Sequence, residues 1–448
     1  MLKMAIDHYN EVLSASDWRA LAVSLQQGIS AKKMHVRGGR TICEVLRPRF
    51  IVPRQYERLE TAARLIGQAI IKMGQAMLSD KALLEPCGLS EAEQALLAMD
   101  GGFPETSLFG RLDGFIADDG EWLYFLESNL ESPAGIAYDE ALAEIFLTLP
   151  AMVQFQRCYQ VSTHPVRPRL LTLLLDAYQR WGGKGTPTIA IVDYRSVPTW
   201  SEFLHCEERF NQDGIPTLLA DPGELSYQGG RLYAAGREID LVYRRVLTSE
   251  LLEKYDLSHP LIRAYADRAV CVVNPFRTKP VHTKLVMAYL CDERFANLFT
   301  EDERAAIAAH IPWTRLLKPG KTTYQGETID LISFIDKNRE RLVLKPNDAY
   351  GGSGVCLGWR CSDREWEEAK TAATNVPFIV QQRVPIPQED YPVIVDDTLK
   401  IVSKYVDADP CYFNGEALGC MTRIAGSDLL NVSAGGGSAP PTFLVVPK

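Results

Sequence analysis

Between positions 59 and 77, apolar residues recur at Leu59, Ala62, Ile66, Ile70, Met73 and Met77. Spacings of three and four put them on one stripe of a helix. Ser90 followed three residues later by Glu93 has the form of a capping box opening another helix. The first hundred residues therefore read as helical. Near position 110 the period shortens. Residues 111–117 and 122–129 read as two strands joined at Asp118-Asp119-Gly120, a good hairpin turn. Helices are expected at 138–156 and after Pro168, through Leu170, Leu174 and Tyr178. Residues 187–260 alternate strands (188–193, 217–221, 231–233, 239–245) with helical stretches, one of them opened by a capping box from Thr199 to Glu202. That alternation predicts a Rossmann-like layer with a partly parallel sheet. The glycine-rich loop of dinucleotide binders is missing from it. From about 266 the pattern is mixed. Helices are expected at 283–297 and 301–309, and strands at 341–346, 354–359, 378–383, 398–403 and 407–414. The fold class is α/β (α+β).

Composition narrows the function. With 46% hydrophobic residues among 448, dominant disorder is excluded. Lys and Arg number 48 against 57 Asp and Glu, a net charge of −9, which argues against a general nucleic-acid binder but leaves room for a local anion pocket. The ten cysteines contain no CxxC pair, so reduced, mostly buried thiols are expected. The seven histidines have no metal spacing. No apolar run is long enough to cross a bilayer, and the opening residues, which reach Asp7 at once, lack a secretory apolar core; a cytoplasmic protein is expected.

Three clusters can carry chemistry. Arg111-x-Asp113 and Glu127-x-Asn129 lie on the two hairpin strands, and residues two apart share a strand face. Asp, Glu and an Asn carbonyl are hard oxygen donors suited to magnesium, and an arginine can hold a phosphate bidentately. On spacing alone, solvated acids beside a turn account for them better; the apolar run 122–126 ahead of Glu127 speaks for chemistry. Secondly, Lys345 ends a strand and is followed by Tyr350-Gly351-Gly352-Ser353-Gly354. Glycines let backbone N–H groups approach phosphate oxygens, and the lysine adds positive charge; a plain hairpin is the competing reading. Thirdly, Gln381 and Gln382 end an apolar strand and could meet an adenine edge. Asp193 and Arg195 follow the first Rossmann-like strand, at the crevice where open α/β sheets bind ligands, and are substrate-side candidates; Asp193 could equally cap a turn. Arg423, with Asn431 and the glycines after it, and Lys284 in His282-Thr283-Lys284, preceded by Arg277-Thr278-Lys279, are further polar stretches that could also be solvated loops and helix starts. The basic stretches at 35–40 and 48–58 are expected to form a solvated face.

The ordered combination of these motifs, with Tyr243-Arg244-Arg245 and Asn274-Pro275-Phe276, resembles the circularly permuted ATP-grasp family. It is similar to the ligase domain of glutathionylspermidine synthase and to related bacterial proteins, from about Arg111 to the C-terminus. The resemblance implies a helical N-terminal region (1–105), a metal-binding part of the core (106–165), a Rossmann-like substrate-side domain (166–265), and ATP-grasp lobes with the glycine loop (266–448). It implies ATP and Mg2+ as cofactors. Asp113, Glu127 and Asn129 would be metal ligands, and Arg111, Lys345 and Arg423 catalytic residues. Lys284, Lys345, Tyr350 to Gly354, and Gln381 or Gln382 would contact ATP. Asp193, Arg195 and Asn431 would face substrate. The implied activity is an ATP-dependent carboxylate–amine ligase working through an acyl phosphate on small-molecule or peptide substrates, with no nucleic-acid or membrane partner. A kinase on the same scaffold and a non-catalytic nucleotide-binding protein are the alternatives. The amidase domain fused to the spermidine enzyme has no counterpart here, so its substrates are not carried over.

Overall fold

A computed structural model describes residues 1–35, 39–103, 105–164, 166–430, 432 and 437–448. Asn431 and most of the glycine-rich stretch after it lie outside the described residues. The architecture is mixed α/β, built from several sheets with helices between them.

The centre is a four-stranded antiparallel sheet in the order Glu416–Met421, Asp409–Phe413, Phe109–Ile116, Leu123–Asn129. The hairpin expected around Gly120 forms its last two strands, in a register that sets Asp113 opposite Glu127 and Arg111 opposite Asn129. Against this sheet lies the long helix Pro53–Ser79. Its stripe from Leu59 to Met77 is buried throughout, because these residues are the face turned to the sheet. Gly67 sits where the helix crosses the Tyr412 ring: a Cβ there would lie 2.3 Å from the ring edge.

A second antiparallel sheet, in the order Thr314–Leu316, Phe378–Gln382, Leu342–Pro346, Cys356–Leu357, carries Lys345 and starts the glycine loop. A third sheet is wholly parallel, in the order Cys271–Val273, Leu241–Arg244, Ile189–Val192, Thr217–Ala220. Its strands are short apolar runs buried on both faces, as parallel strands between helices must be. Arg231–Ala234 does not join it but forms the middle of a separate antiparallel meander. Asn274, just past one parallel strand, fastens this sheet to the central one. Its Oδ1 accepts the Leu108 and Phe109 N–H groups (2.9 and 3.1 Å), and its Nδ2 donates to the Phe109 and Leu130 carbonyls (2.6 and 2.9 Å). The last strand, Thr442–Pro447, pairs in parallel with Arg49–Ile51 and antiparallel with Tyr159–Ser162, joining three distant segments of the chain in one sheet.

Several expectations are corrected. The helix expected at 138–156 is two, Ile136–Thr148 and Pro150–Phe155, because proline drives the residue before it, Leu149, into extended backbone. The helix expected at 283–297 ends at Leu290; Asp292 then caps a 3-10 segment, Glu293–Leu298. The strand expected at 354–359 shrinks to Cys356–Leu357. Ser90 and Glu93 form the expected capping box, but Thr199 contributes no side-chain cap. Its presumed partner Glu202 instead accepts the Gly135 and Ile136 N–H groups (2.7 and 2.8 Å), capping a neighbouring helix. The 48–58 stretch is not a solvated face throughout: Arg49, like Arg47 just before it, is fully buried, both pairing with the Glu389 carboxylate. Cys356 and Cys361 are joined as a disulfide rather than left reduced; the other eight cysteines are free. Among the described residues no helix is long and apolar enough to cross a membrane.

Candidate active site

The central sheet, the Lys345 sheet and the glycine loop meet around one cavity of about 310 Å³. Arg111, Asp113, Glu127, Lys284, Lys345, Gly351, Gly352, Gln381, Gln382 and Arg423 all line it. They come from five separate segments of chain.

Arg111 and Asp113 share a strand face, and the guanidinium grips the carboxylate with two bonds, Nε to Oδ1 (2.7 Å) and Nη2 to Oδ2 (3.0 Å). Arg423 adds a third, Nη2 to Asp113 Oδ2 (2.8 Å), and holds Asp407 through Nε (2.6 Å). Burial opposes ionisation of Asp113, but the two arginines and a hydrogen bond from Asn129 hold it well below the usual carboxylate range. Asp409 lies beneath them with Oδ2 3.1 Å from Arg423 Nη2, and burial pushes its carboxyl well up. Sequence reasoning missed Asp407 and Asp409. Their signal was the same alternation as Arg111-x-Asp113, an acid pair entering an apolar strand; what was hidden was that this strand pairs with Phe109–Ile116.

Lys345 is buried, and its Nζ donates to Gln381 Oε1 (2.8 Å). Gln381 in turn donates to Thr314 Oγ1 (3.0 Å) and to the Leu126 carbonyl (3.2 Å), next to Glu127. Its amide thus holds the lysine in place and ties the two sheets together. Burial pushes Lys345 down to about 8, against the pull of Glu127. Glu127 is opposed by burial but held below its ordinary value, chiefly by Lys284, 3.3 Å away.

The glycine loop is anchored at its base. Lys284 Nζ donates to the Ala349 carbonyl, and the Lys284 N–H to the Asn347 carbonyl (3.0 Å). Asn347 Oδ1 accepts the Leu285 N–H (2.7 Å), and Lys279 Nζ donates to Asp348 (2.6 Å). Lys279 is fully buried and Lys284 nearly so, which corrects the reading of these stretches as solvated. Gly351, Gly352 and Gly354 have φ of 66°, 78° and 69°, a region costly for any side chain. Gly351 and Gly352 line the cavity; Tyr350, Ser353 and Gly354 shape the turn. At the tip, the exposed Tyr350 reaches across and donates its hydroxyl to Glu250 Oε1 (2.8 Å).

The substrate-side candidates fare differently. Asp193 does not line the cavity; it accepts the Tyr194 N–H (2.7 Å), the turn-capping use, and burial raises its carboxyl to about 7. Arg195 is exposed and spends its guanidinium on Glu224. Tyr138 and Asp139, which the sequence did not single out, do line the cavity.

The lining carries five basic and five acidic side chains, so by charge it is balanced. A polyphosphate bound there would need added cations. Asp113 and Glu127, paired across the hairpin with Asn129 beside Asp113, are hard oxygen donors of the type a divalent ion such as magnesium takes; among the described residues no three His, Cys, Asp or Glu side chains are grouped to hold one, and both Asp113 oxygens accept from arginines.

No protein-family model matches the chain. A putative glutamate–cysteine ligase from Frankia alni is 28% identical over 252 residues, 54% of this chain and 27% of its own length. A second from Frankia casuarinae is 26% identical over 341 residues, 71% of this chain and 36% of its own. The chain thus spans about a third or less of the length of these relatives. A glutathione synthetase-like effector from Globodera pallida, solved without ligand, superposes with a TM-score of 0.61 over 95% of this chain and 96% of its own, at 11% identity. The chain shares its fold with that effector.

Proposed function

We propose that the protein is an ATP-dependent carboxylate–amine ligase of the ATP-grasp type, in the circularly permuted order expected from its motifs. The observation that carries this reading is the meeting of Asp113 and Glu127, Lys284 and Lys345, and the glycine loop around one cavity. The two Frankia relatives named as putative glutamate–cysteine ligases point the same way. So does the fold shared with a glutathione synthetase-like protein.

In this reading a substrate carboxylate attacks the γ-phosphorus of ATP, forming an acyl phosphate and releasing ADP. The obstacle is repulsion between two anions. Arg111 and Arg423, already turned into the cavity, and the two lysines meet the charge that builds on the transferred phosphoryl oxygens. Asp113, Glu127 and Asn129 would hold magnesium, which would supply positive charge against the phosphates. An amine nitrogen then attacks the acyl carbon, the C–O bond to phosphate breaks with its electron pair, and the nitrogen's extra proton leaves with the phosphate. The glycine loop, latched by Tyr350 on Glu250, would keep water from the acyl phosphate.

The test is calorimetric titration of the full chain with ATP with and without MgCl2, followed by ADP release across a panel of carboxylates and amines. Magnesium-dependent ATP binding, and ADP formed only when both substrates are present, is expected. No ATP binding with magnesium present removes the proposal. A stable phosphorylated product in place of an amide makes the protein a kinase.

A further inference from the structure

Five acidic side chains line the cavity, and four of them are ion-paired: Asp113 with Arg111 and Arg423, Glu127 with Lys284, Asp407 with Arg423, and Asp428 with Arg360. The fifth, Asp139, has no basic partner among the described residues. It sits in the first turn of the helix Ile136–Thr148, where its Oδ1 accepts the Thr442 N–H (3.1 Å). The walls around it are apolar. Tyr138 is beside it, with its hydroxyl tied to Ser201 (2.6 Å). Met421 closes on Gly135, where a Cβ would fall 2.1 Å from its Cε. Ile42, whose carbonyl accepts the Ala439 N–H, and Pro440 complete the wall.

A shielded carboxyl without a counter-charge is costly to ionise, so a site that keeps one is built either to hold it neutral or to receive a cation. Asp139 opens on a cavity, which favours the second. Among the described residues the bases at this end are Arg111, whose Nη1 donates to the Ala134 carbonyl (2.7 Å) and whose other nitrogens hold Asp113, and Arg423, committed to Asp113 and Asp407. A carboxylate on the incoming molecule would therefore find no uncommitted base here.

We infer that Asp139 and its apolar walls form the amine subsite, taking a primary ammonium group carried on an apolar stem with no carboxylate beside the nitrogen. This rests on the ligase reading for its role in a reaction, but not for binding. It also separates the chain from what the name glutamate–cysteine ligase says of its relatives, since cysteine carries a carboxylate next to its amine.

The probe is n-butylamine hydrochloride, titrated calorimetrically into the full chain, with 1-butanol and L-cysteine in parallel. The inference expects n-butylammonium to bind at least tenfold more tightly than either. Asp139→Asn keeps the oxygen that accepts the Thr442 N–H, and is expected to weaken n-butylammonium at least tenfold while magnesium-ATP affinity moves less than twofold. Unchanged n-butylammonium binding in that variant, or tighter binding of L-cysteine, overturns the inference. The wild-type protein supplies a second reading that needs no variant. Burial places Asp139 at about 7, so binding should tighten several-fold from pH 6 to pH 8 while the alkylammonium stays charged. The groups facing Asp139 are the Glu140 carboxylate, the Thr442 N–H, and the thiols of Cys411 and Cys420, which burial keeps protonated in this range. A flat profile overturns the inference. Asp139-dependent amine binding in a chain that ignores magnesium-ATP would uphold this subsite and remove the ligase reading. Magnesium-ATP binding without it would do the reverse.

Discussion

Replacing Lys345 with methionine should stabilise the protein at neutral pH while weakening the proposed nucleotide binding at least tenfold. The ammonium group is buried, and burial lowers it from 10.5 to about 8. At about 1.4 kcal/mol per pH unit, that shift means the charged lysine costs the fold about 3 kcal/mol at pH 7. Methionine removes this cost but leaves Gln381 Oε1 without its donor, which returns about 1–3 kcal/mol. The net gain at pH 7 is therefore about 0–2 kcal/mol. The pH dependence is the sharper test. Between pH 8 and 10.5 the unfolded wild-type chain still binds a proton that the folded lysine has lost, so rising pH stabilises the wild type. The methionine variant has no such term. The stability difference should therefore swing by about 3 kcal/mol toward the wild type across that window. Urea unfolding of both proteins at pH 7, 9 and 10.5 measures it, and other alkaline titrations cancel in the difference. A gap that stays constant across the range would refute the argument that Lys345 is held charged against its surroundings. Isothermal titration with magnesium-ATP should show at least a tenfold loss in the variant at pH 7.

Asn274→Ala should expose the Leu108 and Phe109 N–H groups to burial without their acceptor, while the Phe109 and Leu130 carbonyls keep Ser107 Oγ. Two unsatisfied donors cost about 4 kcal/mol together, so amide exchange over 108–116 should quicken by about a thousandfold; less than tenfold would count against the clamp. Gly67→Ala gains helix propensity but drives a methyl to 2.3 Å from the Tyr412 ring, and a net loss of about 1–2 kcal/mol in urea unfolding is expected. An equal or higher stability would mean the helix and sheet can part at no cost. Tyr350→Phe loses an exposed bond to Glu250 worth about 1 kcal/mol, so magnesium-ATP should leave about fivefold faster in stopped-flow displacement, with unfolding unchanged.

The elements that local pattern reached were those whose cause is local. The stripe from Leu59 to Met77 follows from the helical period, the hairpin at Gly120 from turn chemistry, and the shared faces of Arg111 with Asp113 and Glu127 with Asn129 from the two-residue strand period. Where local signals misled, a distant group had intervened. Glu202 stands at the right place to cap its own helix but serves the helix Ile136–Thr148, 66 residues away. Arg49 looks solvated until Glu389, 340 residues on, takes its charge. Arg195 stands at a sheet's ligand-binding end but finds Glu224 nearer than any cavity.

From the chain alone came the chemical types on offer: an arginine–acid hairpin, a lysine leading a glycine loop, a parallel apolar layer, and a net charge unfavourable to nucleic acid. These depend on spacing and composition, which need no partner. What only tertiary structure decided was which of them meet, and in what electrical company. The pairing of Asp409–Phe413 with Phe109–Ile116 places Asp407, Asp409 and Arg423 beside Asp113 across some 300 residues, and the Thr442 N–H fixes a carboxyl on Asp139 that no basic side chain among the described residues pairs with. Strand pairing and burial are set by the whole core at once, so a site assembled from five segments is written in packing rather than in any one stretch of sequence.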